Sequence, residues 1–173
     1  MLNKPARTVC IALAVMFMTM FFTQTVRPND NDMLQQDFLM HPIGEVKKSE
    51  HQVKIIIEKQ YEPGLLGLHA FSHIYVLYWF DRNDTPRKRS VLTVYPRGNR
   101  QNPLSGVFAT RSPARPNLIA LSVCKIISIT GNEILVDKID ALPGSPVLDI
   151  KPYIPRIDSI EVTSLPEWID GSR

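Results

Sequence analysis

Residues 106–117, GVFATRSPARPN, mark the point where a predicted strand gives way to a stiff, cationic loop. The first half alternates as a buried strand does, with Val107 and Ala109 on one face. The second half carries two arginines among prolines, and a proline restricts the residue before it to an extended conformation. Arg111 and Arg115 would therefore lose little freedom on binding, which predicts an anion site. An ordinary arginine-bearing loop is the alternative.

Short β-branched and aromatic runs recur on both sides of this stretch, and such runs are typical of β-strands. Residues 63–71 alone have near-helical apolar spacing, so one short helix is expected. Residues 74–80 are apolar on both faces and are expected to be buried on both. The predicted strands cover residues 38–46 (turning at Gly44), 53–57, 74–80, 91–95, 107–110, 118–129, 134–139 and 147–151. This pattern indicates a mainly β fold of the barrel type.

The N-terminus has the features of a targeting segment. Lys4 and Arg7 precede residues 9–22, an apolar run broken only by Thr19. The run has signal-peptide length and is shorter than the roughly 20 residues of a spanning helix. It predicts a hydrophobic helix that is either a cleaved signal peptide or a signal-anchor, with the following domain outside the cytoplasm. A mis-assigned start, with true initiation at Met33 and a cytoplasmic protein, is the alternative.

The predicted organisation has four parts. A signal peptide or signal-anchor covers residues 1–25, and a polar linker covers residues 26–37. A β-barrel domain covers residues 38–158, followed by a C-terminal tail over residues 159–173.

Composition and charge narrow the classes of function. The chain has 173 residues and a formal net charge of +3, which permits nucleic-acid binding without requiring it. No Cys-x-x-Cys pair is present, and the two cysteines are far apart, so neither a metal site nor a disulfide is expected. No Gly-x-Gly-x-x-Gly follows a predicted strand, which argues against a dinucleotide-binding fold.

Charged side chains cluster in two other places. The first cluster is basic and forms either a solvated flap or a phosphate-facing patch beside the loop of Arg111 and Arg115. Its residues are Arg87, Lys88, Arg89, Arg97 and Arg100. Asp149 and Lys151 share the polar face of the last strand, where they would form an ion pair or face the site.

Three ordered blocks resemble the TsaA-like family, to which tRNA methyltransferase O belongs. They are HAFSHIYVLY at residues 69–78, the GVFATRSPARPN stretch, and GSPVLDIKPYIP at residues 144–155. A weaker match lies at residues 42–44, so the resemblance covers about residues 38–158. The resemblance implies a single-sheeted antiparallel barrel, S-adenosylmethionine as cofactor, and a tRNA N6-threonylcarbamoyladenosine methyltransferase. It also implies a homodimer with tRNA as partner.

The resemblance also implies the site residues. It places cofactor contacts at Asp81, Arg82, Arg111, Leu121, Gly144, Ser145, Pro146 and Val147. Substrate contacts are expected at Arg115, Asn117 and His73, and His73 is also a candidate general base. A structural role is the alternative for His73, as it is for Leu121 in the core and for Gly144–Pro146 in a turn. The catalytic residues are left unassigned, and no metal is predicted.

One departure from the family keeps a second function open. Family methyltransferases carry a Pro-Arg-Gln/Asn-type segment after the first strand, whereas residues 46–52 lead almost directly to the next strand. The alternative is an exported or membrane-tethered barrel that binds a small anionic ligand or methylates a substrate other than tRNA. A purely structural, membrane-tethered domain is the third hypothesis.

Overall fold

A computed structural model describes residues 37–169 of the chain. The predicted N-terminal hydrophobic helix and almost all of the predicted linker lie outside the described residues. Of the described residues, 39–169 belong to one compact unit. Between residues 37 and 169, no helix has the length and apolar character needed to cross a bilayer.

Eight strands and several very short helices make up the described part. The strands are β1 (Gly44–Lys48), β2 (Val53–Ile57), β3 (His73–Trp79), β4 (Thr93–Val94), β5 (Ser105–Gly106), β6 (Ile119–Thr130), β7 (Glu133–Val136) and β8 (Pro146–Pro152). The α-helical turns are α1 (Pro86–Arg89) and α2 (Pro155–Asp158). The 3-10 turns are Lys59–Leu65, Leu68–Ala70, Asp81–Asn83, Pro96–Gly98 and Val107–Ala109.

Six strands close into one antiparallel barrel in the order β1-β2-β7-β6-β3-β8. Strands β4 and β5 form a separate two-stranded sheet. The closed sheet confirms the predicted mainly β, single-sheeted barrel. The prediction of one helix over residues 63–71 is wrong, because the left-handed Gly67 (φ 82°) divides the segment into two 3-10 turns, Lys59–Leu65 and Leu68–Ala70.

The barrel interior is filled by alternate side chains of the strands. Ile55, Ile74, Val76, Ile134 and Val147 are completely buried there. Only one face of β3 is buried, which corrects the expectation that both would be: its other face is half-exposed. A closed single sheet has one inside, so the apolar outer face of β3 has no second layer to cover it.

Three strands are shorter than predicted. The first begins only at Gly44, after Pro42, which has no N–H to give to a ladder. The fourth is reduced to Thr93–Val94. The seventh ends at Val136, because the Asp137 carboxylate accepts a 2.8 Å hydrogen bond from the Lys125 N–H that a strand carbonyl would otherwise take.

Residues 107–110 were predicted to be a strand, and this prediction is wrong, because strand β5 ends at Gly106. The chain there forms a 3-10 turn, in which the Thr110 N–H bonds the Val107 carbonyl at 3.2 Å. Val107 is buried, but Phe108 is 79% exposed, so the predicted alternation of faces fails. The partner strand β4 has only two residues, which leaves nothing for residues 107–110 to pair with.

Closure of the barrel depends on a short seam between β1 and β8. Gly44 pairs with Val147 and Glu45 with Pro146. A Cβ at Gly44 would collide with the carbonyl oxygen of Ile56 on β2, so only glycine lets the strands approach this closely. A β-bulge in β8 at Leu148, between the Tyr78 and Leu77 pairings, adds to the curvature next to the seam.

Candidate functional site

A cleft of about 840 Å³ opens along the first half of β6, within the size range of small-molecule sites. The first half of β6 forms one wall, and the arginine loop, here residues 108–117, forms another. Residues 138–140, which follow β7, form the third. The walls come from three separate parts of the chain, and they meet because the barrel closes.

The wall made by β6 is a strand with one open edge. Residues 119–124 pair with β3, whereas pairing with β7 begins only at Ile126. The Leu118 carbonyl and the Ile126 N–H both bond toward β3, so by alternation the N–H and C=O groups of Ile119, Leu121 and Val123 face the other way. No described residue bonds those groups. They are available to a ligand or to another chain.

The same stretch of β6 also exposes apolar side chains. Ile119, Leu121 and Val123 are 36%, 45% and 47% exposed, although a strand of a closed sheet can face solvent with polar residues. Exposed apolar groups beside free backbone donors and acceptors are typical of a surface that contacts an organic ligand or a partner.

The arginine loop is held by its own hydroxyl groups. The Thr110 hydroxyl accepts from the Ser112 N–H at 3.2 Å, and the Ser112 hydroxyl accepts from the Ala114 N–H at 3.2 Å. Such bonds fix the backbone of a turn. Arg111 and Arg115 both line the cleft from this loop.

The cleft has an excess of positive charge. Arg111, Arg115 and Lys138 line it against one carboxylate, Asp140, and none of these four takes part in an ion pair within the part of the chain that the structure describes. The two guanidiniums thus face a cavity and are not neutralised in the barrel wall. This arrangement favours an anionic group as ligand.

The floor of the cleft is aromatic. Tyr78 and Phe80 stack edge to face with their ring centroids 5.7 Å apart. The Tyr78 hydroxyl donates a 2.8 Å hydrogen bond to the carbonyl oxygen of Asp140. Burial raises the pKa of the Tyr78 phenol, so at neutral pH it remains a neutral donor that joins two walls of the cleft.

The predicted site residues fall into two groups. The cleft brings together Arg111, Arg115, Asn117 and Leu121. Asp81, Arg82 and the loop Gly144–Val147 do not line it. They lie at the same end of β3 but on its β8 side, where Arg82 donates a 3.3 Å hydrogen bond to the Pro143 carbonyl. Their contacts with a cofactor remain predictions.

Within the loop Gly144–Val147, three residues already have structural partners. Ser145 and Val147 are buried, and the Ser145 carbonyl accepts from the Val46 N–H at 3.0 Å. Gly144 adopts φ 85°, a conformation that favours glycine, and its N–H bonds the Val46 carbonyl at 2.7 Å. The loop thereby holds β1 against β8.

His73 lies at the opposite end of β3 from Trp79 and outside the cleft. It pairs with Lys125, its ring packs edge-on against Tyr153 at 6.4 Å, and its Nδ1 lies 2.9 Å from the Ser72 hydroxyl. These contacts support its structural alternative. Its contact with a substrate remains a prediction.

Sequence reasoning missed several residues of the cleft. It did not single out Phe108, which stands exposed at the rim, or Lys138 on the wall after β7. Ser122 and Val123 on β6 were also missed. The predicted alternation placed Phe108 in a strand, and Lys138 follows an ordinary apolar run, so neither carried a signal of its own.

The cluster of basic residues near α1 is divided. Arg89 forms a two-fold contact with Asp84, at 2.7 and 3.0 Å. Arg87, Lys88, Arg97 and Arg100 form no ion pair with any residue between 37 and 169. In the last strand, Asp149 and Lys151 are paired at 2.7 Å, as one of the two predicted alternatives required.

Comparison with known proteins supports the resemblance found in the sequence. The model of the tRNA-methyltransferase O N-terminal domain family matches residues 34–159. A protein of Methanocaldococcus jannaschii, named a probable S-adenosyl-L-methionine-binding protein, is 45% identical over 121 residues, which are 70% of this chain and 96% of the relative. The human tRNA (adenine(37)-N6)-methyltransferase is 43% identical over 98 residues, which are 57% of this chain and 22% of that enzyme.

Solved structures agree with this relationship. Two crystal structures of TrmO from Pseudomonas aeruginosa match with TM-scores of 0.60 and 0.58, at 26% and 25% identity. The matches cover 77% and 75% of this chain and 62% of each of the solved chains, so the TrmO chains extend beyond the matched part. The family match over residues 34–159 and the likeness of the barrel to the TrmO structures agree: the chain belongs to the tRNA-methyltransferase O N-terminal domain family.

Proposed function

We propose that this protein binds S-adenosylmethionine in the cleft beside β6 and transfers its methyl group to N6 of a modified adenine in tRNA. The observation that carries the proposal is that Arg111 and Arg115, which form no ion pair with any described residue, line the cleft next to the open edge of β6. The names of the archaeal relatives and of the human relative point to the same cofactor and reaction.

The residues of the cleft fit the parts of this cofactor. Its carboxylate suits Arg111 or Arg115, because a guanidinium donates two parallel hydrogen bonds to a carboxylate. Its adenine suits the edge of β6, where the backbone N–H and C=O of Leu121 can meet a ring that has both donors and acceptors. The side chains of Ile119, Leu121 and Val123 supply apolar surface for the ring faces.

Catalysis of methyl transfer depends mainly on how the methyl donor and N6 are positioned. When bound, the cofactor would supply an electrophilic methyl group to N6 and leave as a neutral thioether, and the N6 proton would be released to bulk solvent. The protein holds the two reactants in line and keeps water away, which needs no covalent intermediate. Tyr78 contributes as a donor to the Asp140 carbonyl that fixes the floor, and its proton stays in place.

Cations that do not line the cleft also fit the phosphates of an RNA substrate. Arg87, Lys88, Arg97 and Arg100 have no carboxylate partner among the described residues. Contacts of this type supply affinity without sequence specificity and weaken steeply with salt. tRNA is therefore proposed as the partner, and Phe108 at the rim offers an exposed ring on which a base can stack.

Two measurements test the proposal. Calorimetric titration of the protein with S-adenosylmethionine should give one saturable site. The protein with a labelled methyl donor should then transfer the label to tRNA that carries N6-threonylcarbamoyladenosine and not to tRNA that lacks it. Absence of binding would remove the proposal, and binding without transfer would leave only a cofactor-binding protein.

A homodimer is proposed for the same molecule. Leu92 and Leu104 are exposed apolar side chains that do not line the cleft, and they offer a surface that a second copy can cover. Light scattering coupled to size-exclusion chromatography should give twice the 19.7 kDa mass of the chain. A mass of one chain at micromolar concentration would contradict it.

The second candidate is a barrel that works outside the cytoplasm on an anionic ligand or a substrate other than tRNA. Two observations favour it: the apolar run of residues 9–22, and the short β1–β2 connection of residues 49–52, which leaves no room for the family's segment there. A reporter fused to the C-terminus and active only after export should then be active. A reporter active only in the cytoplasm would rule it out.

A further inference from the structure

Arg89 lies in the middle of a network that joins three parts of the chain. Its Nε and one terminal nitrogen bond the two carboxylate oxygens of Asp84 at 2.7 and 3.0 Å. Its other terminal nitrogen donates to the carbonyl of Pro116 at 3.1 Å. Its guanidinium lies 5.3 Å from the ring centroid of Trp79, whose Nε1 also donates to Asp84, at 3.1 Å.

The Pro116 carbonyl is the place where this network reaches the cleft. Pro116 lies between Arg115 and Asn117, both of which line the cleft. A proline has no N–H, so its carbonyl is the only backbone group by which this residue can be held. The next fixed point along the chain is the Leu118 carbonyl, which accepts from the Phe80 N–H at 2.8 Å.

The geometry uses features that lysine cannot supply. The Arg89 side chain donates in three directions and stacks on an indole, whereas a lysine has one ammonium group. Isolated surface ion pairs contribute little, but a two-fold arginine–carboxylate contact that belongs to a network is more effective. Thr85 caps the turn of α1 by accepting from the Lys88 N–H at 3.2 Å, which holds the backbone of Arg89 in position.

We infer that Arg89 is a positioning residue for the proposed cofactor site, acting through Pro116 on Arg115 and Asn117. This inference rests on the proposed function, and it separates Arg89 from its basic neighbours, which have no such partners. Arg89 orders the C-terminal end of the arginine loop, and the hydroxyl bonds of Thr110 and Ser112 order its N-terminal end.

The test compares Arg89→Lys with Arg87→Lys in the full-length chain. Arg87 is an exposed residue on the same turn, and it takes no part in the network. Amide hydrogen exchange of residues 110–118, followed by mass spectrometry, and titration with S-adenosylmethionine are measured on both variants. For Arg89→Lys we expect loop exchange to rise and affinity to fall by about tenfold, which corresponds to one lost charge-assisted hydrogen bond. Arg87→Lys should change neither.

Asp84→Asn provides an independent variant. It removes the carboxylate that orients Arg89 but leaves the Pro116 carbonyl and the Arg89 charge in place. If the network acts as a unit, Asp84→Asn and the double variant with Arg89→Lys should show the same loop exchange within about twofold.

Other results of these measurements would contradict either the positioning role of Arg89 or the proposed function. Unchanged loop exchange in Arg89→Lys, faster loop exchange with unchanged affinity, or exchange that rises equally in the barrel strands would each overturn the positioning role. Failure of the unaltered chain to bind S-adenosylmethionine would defeat the proposed function, and the loop exchange would then still decide whether Arg89 orders the loop.

Discussion

The two halves of strand β6 have different partners. From Ile126 to Thr130 the strand is paired with β7 on the edge that is open along residues 119–124, and the neighbouring charges Lys54 and Glu133 neutralise each other at 2.9 Å. Residues 119–124 are paired on one side only, and the adjacent Arg111 and Arg115 have no carboxylate partner among the described residues. The closed half therefore stabilises the fold and the open half is left to bind, so substitutions should separate stability from binding.

The largest effect is expected from truncation in the closed half. Ile134 is completely buried and pairs with Ile129 of β6, so Ile134→Ala should lower the free energy of unfolding by about 2–5 kcal/mol. Leu121→Ala in the open half should cost less than about 1 kcal/mol, because that side chain is already 45% exposed. Denaturation in urea measures both. Equal losses would show that the open half is as important to the fold as the closed half.

Proline substitutions at Leu121 and Ser122 test which backbone N–H groups of β6 bond to β3 and which face away from it. Ser122→Pro should destabilise the fold by about 1–3 kcal/mol, because it removes an N–H directed at β3 and leaves a carbonyl there without a donor. Leu121→Pro removes an N–H that faces away from β3, so it should cost less stability while weakening S-adenosylmethionine binding. A greater loss of stability in Leu121→Pro than in Ser122→Pro would contradict the assigned edge.

Binding should depend on the unpaired cations. Arg111→Ala should weaken S-adenosylmethionine binding by at least about tenfold, the effect of losing a charge-assisted contact, without changing the thermal midpoint. Lys54→Ala is the matched control, because it removes a paired cation from the closed half and should leave affinity unchanged. Equal affinities of Arg111→Ala and the unaltered chain would remove Arg111 from the site.

The smallest effect is a dependence of stability on pH near the cleft. Hydrogen bonds from Arg89 and then from Trp79 hold the pKa of Asp84 below its ordinary value of 3.8. The stabilisation from this ionised carboxylate is therefore complete well above pH 3.8 and is lost as the pH falls through the lower pKa of the folded state. The difference in stability between the unaltered chain and Asp84→Asn should shrink between pH 6 and the acid limit of the fold. A difference that is constant with pH would show that Asp84 does not titrate differently in the folded chain.

The sequence predicted the barrel and most of its strands, because period-two alternation and β-branched runs are local signals. It also predicted that Arg111 and Arg115 lie on one loop, and both line the cleft, whereas anion binding by that loop remains a prediction. The open edge of β6 could not be predicted, since it depends on where β7 stops, and that is decided by the side chain of Asp137. The role of Arg89 was equally hidden, because its partner Pro116 is 27 residues away along the chain.

Local sequence patterns gave wrong predictions of secondary structure in two segments. Residues 107–110 alternate like a strand, but the two-residue partner β4 gives them nothing to pair with. Residues 63–71 have helical spacing, but Gly67 interrupts it. In both cases tertiary partners, and not propensity, decided the backbone.

The thiol of Cys124 is completely buried on the inward face of β6, opposite Ile74, and can therefore serve as a chemical probe of barrel opening. Burial raises the pKa of this thiol to about 12, so in the closed barrel it is almost wholly protonated and shielded from alkylating reagents. In a Cys10→Ser background, each modification at neutral pH would record one separation of β3 from β6. The rate of alkylation therefore reports how readily β3 and β6 separate behind the cleft. A ligand bound against β6 should lower that rate.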